Sequence, residues 1–127
     1  PTISWGNKLA RLIPIDPSTH LTEAMQAVSF VLSQDKIACI FPEGRRSIDE
    51  SVAEFRKGVG ILIKELQVPV VPVYIKGSHH SWPRGSLLPR LYPLEVIFGR
   101  PVNLGHSTDD YEAIAKALRE EVLKLAC

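Results

Sequence analysis

The eight residues from Val68 to Ile75 (Val-Pro-Val-Val-Pro-Val-Tyr-Ile) form the longest apolar run in the chain. A membrane helix needs about 20 apolar residues, so this run is too short to span a bilayer. Its β-branched content and flanking turn residues read as a strand at the centre of a sheet. Pro69 and Pro72 cannot donate to a ladder, which places them at the strand start and at a bulge or edge. A strand of this kind must be covered, and the rest of the pattern supplies helices to cover it. Leu21, Ala24, Met25, Val28 and Leu32 recur at helical spacing, with Ser18 or Thr19 available as a cap. Val59 to Leu66 reads as a second helix, whose start is weakened by Gly58 and Gly60. Tyr111, Ile114, Ala115, Leu118, Val122 and Leu125 mark a third, led in by Asp109 and Asp110. Ala10 to Asp16, Lys36 to Phe41 and Leu94 to Phe98 are short runs of strand type, and Lys76 to Leu91 reads as a long loop. The order strand, helix, strand, helix, strand, strand, helix predicts an α/β fold with a mostly parallel central sheet flanked by helices, with room for one antiparallel edge strand.

Length and charge narrow the functional classes. At 127 residues the chain suits a single domain, residues 1–127, with one core. No linker or internal repeat divides it. Apolar residues make up 45% and charged residues 23%, which excludes a disordered segment. A net charge of +1 gives no global field toward nucleic acid or anionic lipid, so no nucleic-acid partner is expected and any anion site is local. Two cysteines, Cys39 and Cys127, make no disulfide framework, and Cys39 within Ile37–Phe41 reads as a small buried hydrophobe. No signal peptide is legible. Pro1 opens the chain where a methionine would stand, so a longer parent is expected, with N-terminal segments that could include membrane anchors.

The chemistry concentrates in Phe41-Pro42-Glu43-Gly44-Arg45-Arg46-Ser47, followed by Phe55-Arg56-Lys57-Gly58. The segment leaves a predicted strand and leads toward a helix, which is where ligands bind in open α/β sheets. Gly44 permits positive φ, and the amides beyond it can form an anion-binding nest. Arg45, Arg46, Arg56 and Lys57 bring cations, and arginine grips phosphate oxygens in bidentate fashion. Glu43 can accept from hydroxyls or orient an arginine. These residues suit a hydroxylated ligand carrying phosphate, and they equally suit a solvated surface loop in which Glu43 pairs with an arginine.

The segment resembles the third motif of the glycerolipid (lysophosphatidic-acid-type) acyltransferases, Phe-Pro-Glu-Gly-Thr-Arg-Ser. Phe41, Pro42, Glu43, Gly44, Arg46 and Ser47 match it, and Arg45 replaces the threonine. Phe55-Arg56-Lys57-Gly58 fits its continuation. Val71-Pro72-Val73 resembles the family's fourth motif. Ile15-Asp16 keeps part of the second, with Pro17 in place of an arginine. A similar Ile-Asp-Pro stretch occurs in acyltransferase domains fused to acyl-activating ligases, a second type of parent. The resemblance runs from about Leu9 to Val102 and implies the C-terminal portion of a phospholipid/glycerol acyltransferase domain. It implies O-acyl transfer from a thioester, on coenzyme A or acyl carrier protein, to a glycerol phosphate or lysophospholipid hydroxyl. Glu43, Gly44 and Arg46 are then acceptor-site residues, with Ser47 and Lys57 beside them. The thioester is a substrate, and neither a cofactor nor a metal is implied. The intact parent would work at the cytoplasmic face of the membrane.

Acyl transfer to a hydroxyl requires a general base and donors for the oxyanion. The family's base is a histidine in the pattern His-x-x-x-x-Asp. Here His20, His79, His80 and His106 are followed at that spacing by Met25, Arg84, Gly85 and Tyr111, so none fits. The 127 residues alone are expected to be inactive, and no catalytic residue is assigned within them. The alternative is a non-catalytic phosphate-ligand or protein-binding module on the same fold. Adjacent His79 and His80 lack the spacing and acidic company of a metal site and read as loop polar groups. Trp82 in its loop suits either a membrane interface, with Arg84 and Arg90 on headgroups, or an anchor to the core. A parallel sheet with only three helices leaves a face underdressed, which predicts self-association.

Overall fold

A computed structural model describes residues 21–45, 47 and 49–126. The expected strand at Ala10–Asp16, the Ile15-Asp16 stretch, the caps at Ser18 and Thr19, and Arg46 lie outside the described residues. Two compact units divide the chain, Pro1–Ile40 and Phe41–Cys127.

In the first unit, α1 spans Leu21–Ser33 and buries Ala24 and Val28, which stand one helical turn apart. It ends because Asp35 takes φ +55°. The Asp35 amide then donates to the Leu32 carbonyl at 3.1 Å and the Lys36 amide to the Val31 carbonyl at 3.3 Å. This is the Schellman pattern, with aspartate where glycine is usual. The run after it, residues 36–41, forms no strand. Cys39 is accordingly exposed, and not the buried hydrophobe its neighbours suggest. An extended run buries a side chain only when one of its faces is covered.

The second unit contains α2 (Lys57–Leu66), β1 (Val73–Lys76), the single turn α3 (Ser78–Ser81), β2 (Glu95–Phe98) and α4 (Tyr111–Leu125). Its core is the seam between α2 and α4: Val59, Ile63, Ile114, Ala115 and Leu118, with Phe55, Val70 and Leu104 packed against them. Gly60 makes the crossing close. A Cβ there would stand 2.8 Å from the Tyr111 carbonyl carbon and 3.2 Å from its Cα. The two helices are thus in backbone contact, and the glycine that weakens α2 locally is what lets α4 approach. Asp110 caps α4 by accepting from the Glu112 amide at 3.0 Å. Gln67, at φ +51°, closes α2 with its amide on the Ile63 carbonyl.

The sheet corrects the expectation of a mostly parallel one. Among the described residues it has two strands, β1 and β2, paired antiparallel with Val73 opposite Phe98 and Lys76 opposite Glu95. The isolated bridge Val70–Val102 extends the same antiparallel path. The physical reason lies in the connection. Residues 77–94 hold only the single turn α3, and no helix long enough to cross a sheet face and carry the chain back for a parallel pairing. Pro72 sits immediately before β1, where its missing N–H costs no ladder bond, and its carbonyl accepts from the Gly99 amide at 2.8 Å.

Candidate functional site

The conspicuous motif folds as a tight turn. The Gly44 amide donates to the Phe41 carbonyl at 3.1 Å, and Gly44 takes φ +69°. Two hydrogen bonds then stitch this turn to the segment entering α2. The Arg56 amide donates to the Pro42 carbonyl at 2.9 Å. The Ala53 amide donates to Glu43 Oε2 at 3.0 Å. The absent side chain of Gly44 is also used, since a Cβ there would lie 2.8 Å from Arg56 Cδ and 3.0 Å from its Cζ. The Arg56 side chain therefore lies directly over the Gly44 backbone.

Phe55 explains how Arg56 and Lys57 reach this place. Its ring packs against the α2–α4 core, which fixes the residues that follow it at the first turn of α2. Arg56 is the N-cap, extended at φ −72° and ψ 147°, and no side chain caps the helix start. The uncapped amides and the helix dipole favour an anion at this end. Arg45, Arg56 and Lys57 are all exposed. Among the described residues none of the three has an acidic partner. Among the described residues Glu43 is engaged by a main-chain amide, that of Ala53.

Of the residues singled out from sequence, Glu43 and Gly44 share the turn, and Lys57 begins the helix stitched to it. Ser47 is half-buried in the loop beyond. Among the described residues no hydrogen bond links its side chain to Glu43, Gly44 or Lys57. Further along, Asp49 accepts from the Ser51 amide at 2.8 Å and from the Ser51 hydroxyl. Those bonds hold the Asp49 carboxyl below its usual range. Glu50 pairs with His80 Nε2, and the His80 ring stacks on Tyr92 with centroids 4.8 Å apart. His80 thus belongs to the far wall of this loop. Trp82 Nε1 donates to the Ser86 carbonyl at 3.0 Å, and its side chain remains exposed.

One participant was missed from sequence. Arg119 on α4 donates from Nε to the Ala53 carbonyl at 3.0 Å and from Nη2 to the Val52 carbonyl at 2.7 Å. A signal was present, because Arg119 follows Ala115 by four and Leu118 by one and so flanks the buried stripe of α4. Its target, 66 residues upstream, could not be read from periodicity.

The turn, the uncapped helix start and three exposed cations that have no acidic partner among the described residues stand together beside the α2–α4 core. Comparison with known proteins gives the class. The acyltransferase family model matches residues 1–76. The 1-acyl-sn-glycerol-3-phosphate acyltransferase of Limnanthes douglasii is 32% identical over 114 residues, covering 87% of this chain and 39% of that protein. The alpha form from Mus musculus is 29% identical over 119 residues, covering 87% of this chain and 38% of the relative. The crystal structure of the 1-acyl-sn-glycerophosphate acyltransferase PlsC from Thermotoga maritima superposes with a TM-score of 0.71 at 24% identity. That likeness covers all of this chain and 52% of PlsC. The fold is thus a partial PlsC-like acyltransferase fold, and the chain belongs to the acyltransferase family. It spans 39%, 38% and 52% of the length of these three relatives.

Proposed function

We propose that this chain carries the acceptor-phosphate site of an O-acyltransferase of phospholipid biosynthesis, with glycerol phosphate or a lysophospholipid such as lysophosphatidate as acceptor. The observation that carries the reading is the Phe41–Gly44 turn, stitched through Glu43 and Pro42 to the uncapped start of α2. In that frame Arg56 lies across Gly44, and Arg45 and Lys57 have no acidic partner among the described residues. Phosphate oxygens would take the loop and helix amides and the cations, with Arg46 and Ser47 supplying the motif's remaining donors. Holding the phosphate places the acceptor's free hydroxyl against the thioester of coenzyme A or acyl carrier protein. Its oxygen attacks the carbonyl carbon, the C–S bond breaks, and the proton passes through a base to the leaving thiol. The base comes from outside these 127 residues, so the chain by itself binds acceptor without turning it over. Work on acyl chains places the intact parent at the cytoplasmic face of the membrane. No helix among the described residues is long and apolar enough to cross one.

Titration with sn-glycerol 3-phosphate, followed by amide chemical shifts, tests the reading. Gly44, Arg45 and Ser47 should move first. Gly44→Ala should weaken binding about tenfold, because positive φ costs roughly 1–2 kcal/mol for a residue with a Cβ and the new methyl displaces Arg56. Shifts confined to other segments would make the loop an ordinary solvated feature and leave a protein-binding module as the better description.

A further inference from the structure

We propose that Arg119 is a positioning residue for the acceptor site: it fixes the Val52–Ala53 backbone so that the Ala53 amide holds Glu43, and with it the Phe41–Gly44 turn. The proposal rests on the reading of that turn as the phosphate site. Three observations carry it. Arg119 spends two guanidinium nitrogens on consecutive main-chain carbonyls, at 3.0 Å to Ala53 and 2.7 Å to Val52, in a part-buried setting. Residue 53 is bonded on both sides, its carbonyl to Arg119 and its amide to Glu43 Oε2 at 3.0 Å. Among the described residues Arg119 has no carboxylate partner, so its charge is committed to the loop and not to a surface ion pair.

The chemistry explains why arginine stands there. A planar guanidinium presents several donors in a fixed fork and meets two neighbouring carbonyls at once. A lysine ammonium is a point donor on a flexible stem and would define the position of one carbonyl only. Charged donors to neutral carbonyls make bonds stronger than ordinary ones, and low local polarity strengthens them further. Arg119 itself sits on α4 beside Leu118 and Ala115, both buried at the seam with α2. The rigid helix pair thus has two arms to the site. One is the Phe55–Lys57 entry of α2, and the other is Arg119 from α4. Between them they hold residues 52–56, to which the turn is bonded at Glu43 and Pro42. Loops acquire accurate site geometry only when such supporting bonds fix them.

The test compares Arg119→Met and Arg119→Lys with Lys64→Met in the full chain. Lys64 provides a control of similar kind, since its Nζ ties α2 to the Gly105 carbonyl at 3.0 Å and to Asp109 at 2.8 Å, away from the turn. Without ligand, Arg119→Met should speed hydrogen exchange of the Ala53 amide and shift the Gly44 resonance, and Arg119→Lys should do so to a lesser degree. Lys64→Met should alter neither. With sn-glycerol 3-phosphate, Arg119→Met should raise Kd about tenfold, while Lys64→Met at a comparable fall in Tm leaves it unchanged. Unaltered Ala53 exchange in Arg119→Met overturns the proposal, as does an equal loss of affinity in Lys64→Met. Should Arg119→Met fail to fold, the same exchange measurement on Arg119→Lys decides the matter. If the parent chain itself gives no shift at Gly44–Ser47, the phosphate reading fails, and the ligand-free exchange still reports on the clamp.

Discussion

Replacing Gly60 with alanine should destabilise the protein, although every local rule points the other way. In an isolated helix the change gains about 1 kcal/mol. Here the new methyl carbon would stand 2.8 Å from the Tyr111 carbonyl carbon and closer still to its oxygen. Carbon atoms prefer separations of about 3.5–4.0 Å, so α2 and α4 must part by roughly 1 Å. A radial gap of about 0.5–1 Å forfeits a quarter to a half of each contact's attraction. Val59, Ile63, Ile114, Ala115 and Leu118 all sit in the seam that would open. The obstruction is main chain, with no side-chain rotamer to relieve it. Overpacking of this sort costs about 1–3 kcal/mol and sometimes more. Here the upper part of that range applies, so after the propensity gain the net loss is about 2 kcal/mol, roughly a thirtyfold shift of the folding equilibrium. Urea unfolding followed by helical circular dichroism measures it. A Gly60→Ala chain as stable as the parent or more so would refute the close crossing, and with it the α2–α4 seam as the platform of the site.

Three further outcomes follow from named contacts. Asp110→Ala removes the cap of α4 and should cost about 1 kcal/mol in the same assay, with Asp110→Ser restoring most of it. The Lys64 hydrogen bond, and then its charge, hold the Asp109 carboxyl below its usual range. A depressed folded pKa gives stability that is present above the unfolded value of 3.8 and lost as pH falls through the folded one. Acid titration of stability should therefore lose a component below about pH 4 that is missing in Asp109→Asn; identical acid profiles would discount the pair. By register Ile75, Val96 and Phe98 share one face of the strand pair, and they are 39%, 49% and 70% exposed. Sedimentation at rising concentration should show self-association that Phe98→Glu reverses, and a strictly monomeric parent chain would contradict it.

The geometry of the motif segment was legible to different degrees. Gly44 announced a positive φ through its place after Pro42-Glu43, and the structure gives it one. Of the cations clustered in sequence, Arg45, Arg56 and Lys57 are exposed and have no acidic partner among the described residues. Glu43 was open between a hydroxyl acceptor and an arginine partner, and the structure adds a contact that neither reading contained, the Ala53 amide on its Oε2. Arg119 was invisible as a site residue, since a helix face predicts which side is buried and not which distant carbonyls lie beside it.

Local chemistry that acts within a few residues was determined by the sequence alone. Helical spacing set α1, α2 and α4, and Asp110 set the start of α4, whereas the strand read over Val68–Ile75 is confined to Val73–Lys76, beyond Pro72. The motif residues set the family. What depends on partners far along the chain was decided only by tertiary structure. Strand direction followed from how residues 77–94 return, so the sheet is antiparallel where alternation suggested parallel. Cys39 is exposed because its run found no pairing among the described residues. Gly60 changed from a helix weakness to a contact point because α4 crosses there. Each of these turns on a meeting between segments dozens of residues apart, and periodicity and propensity carry no information about such meetings.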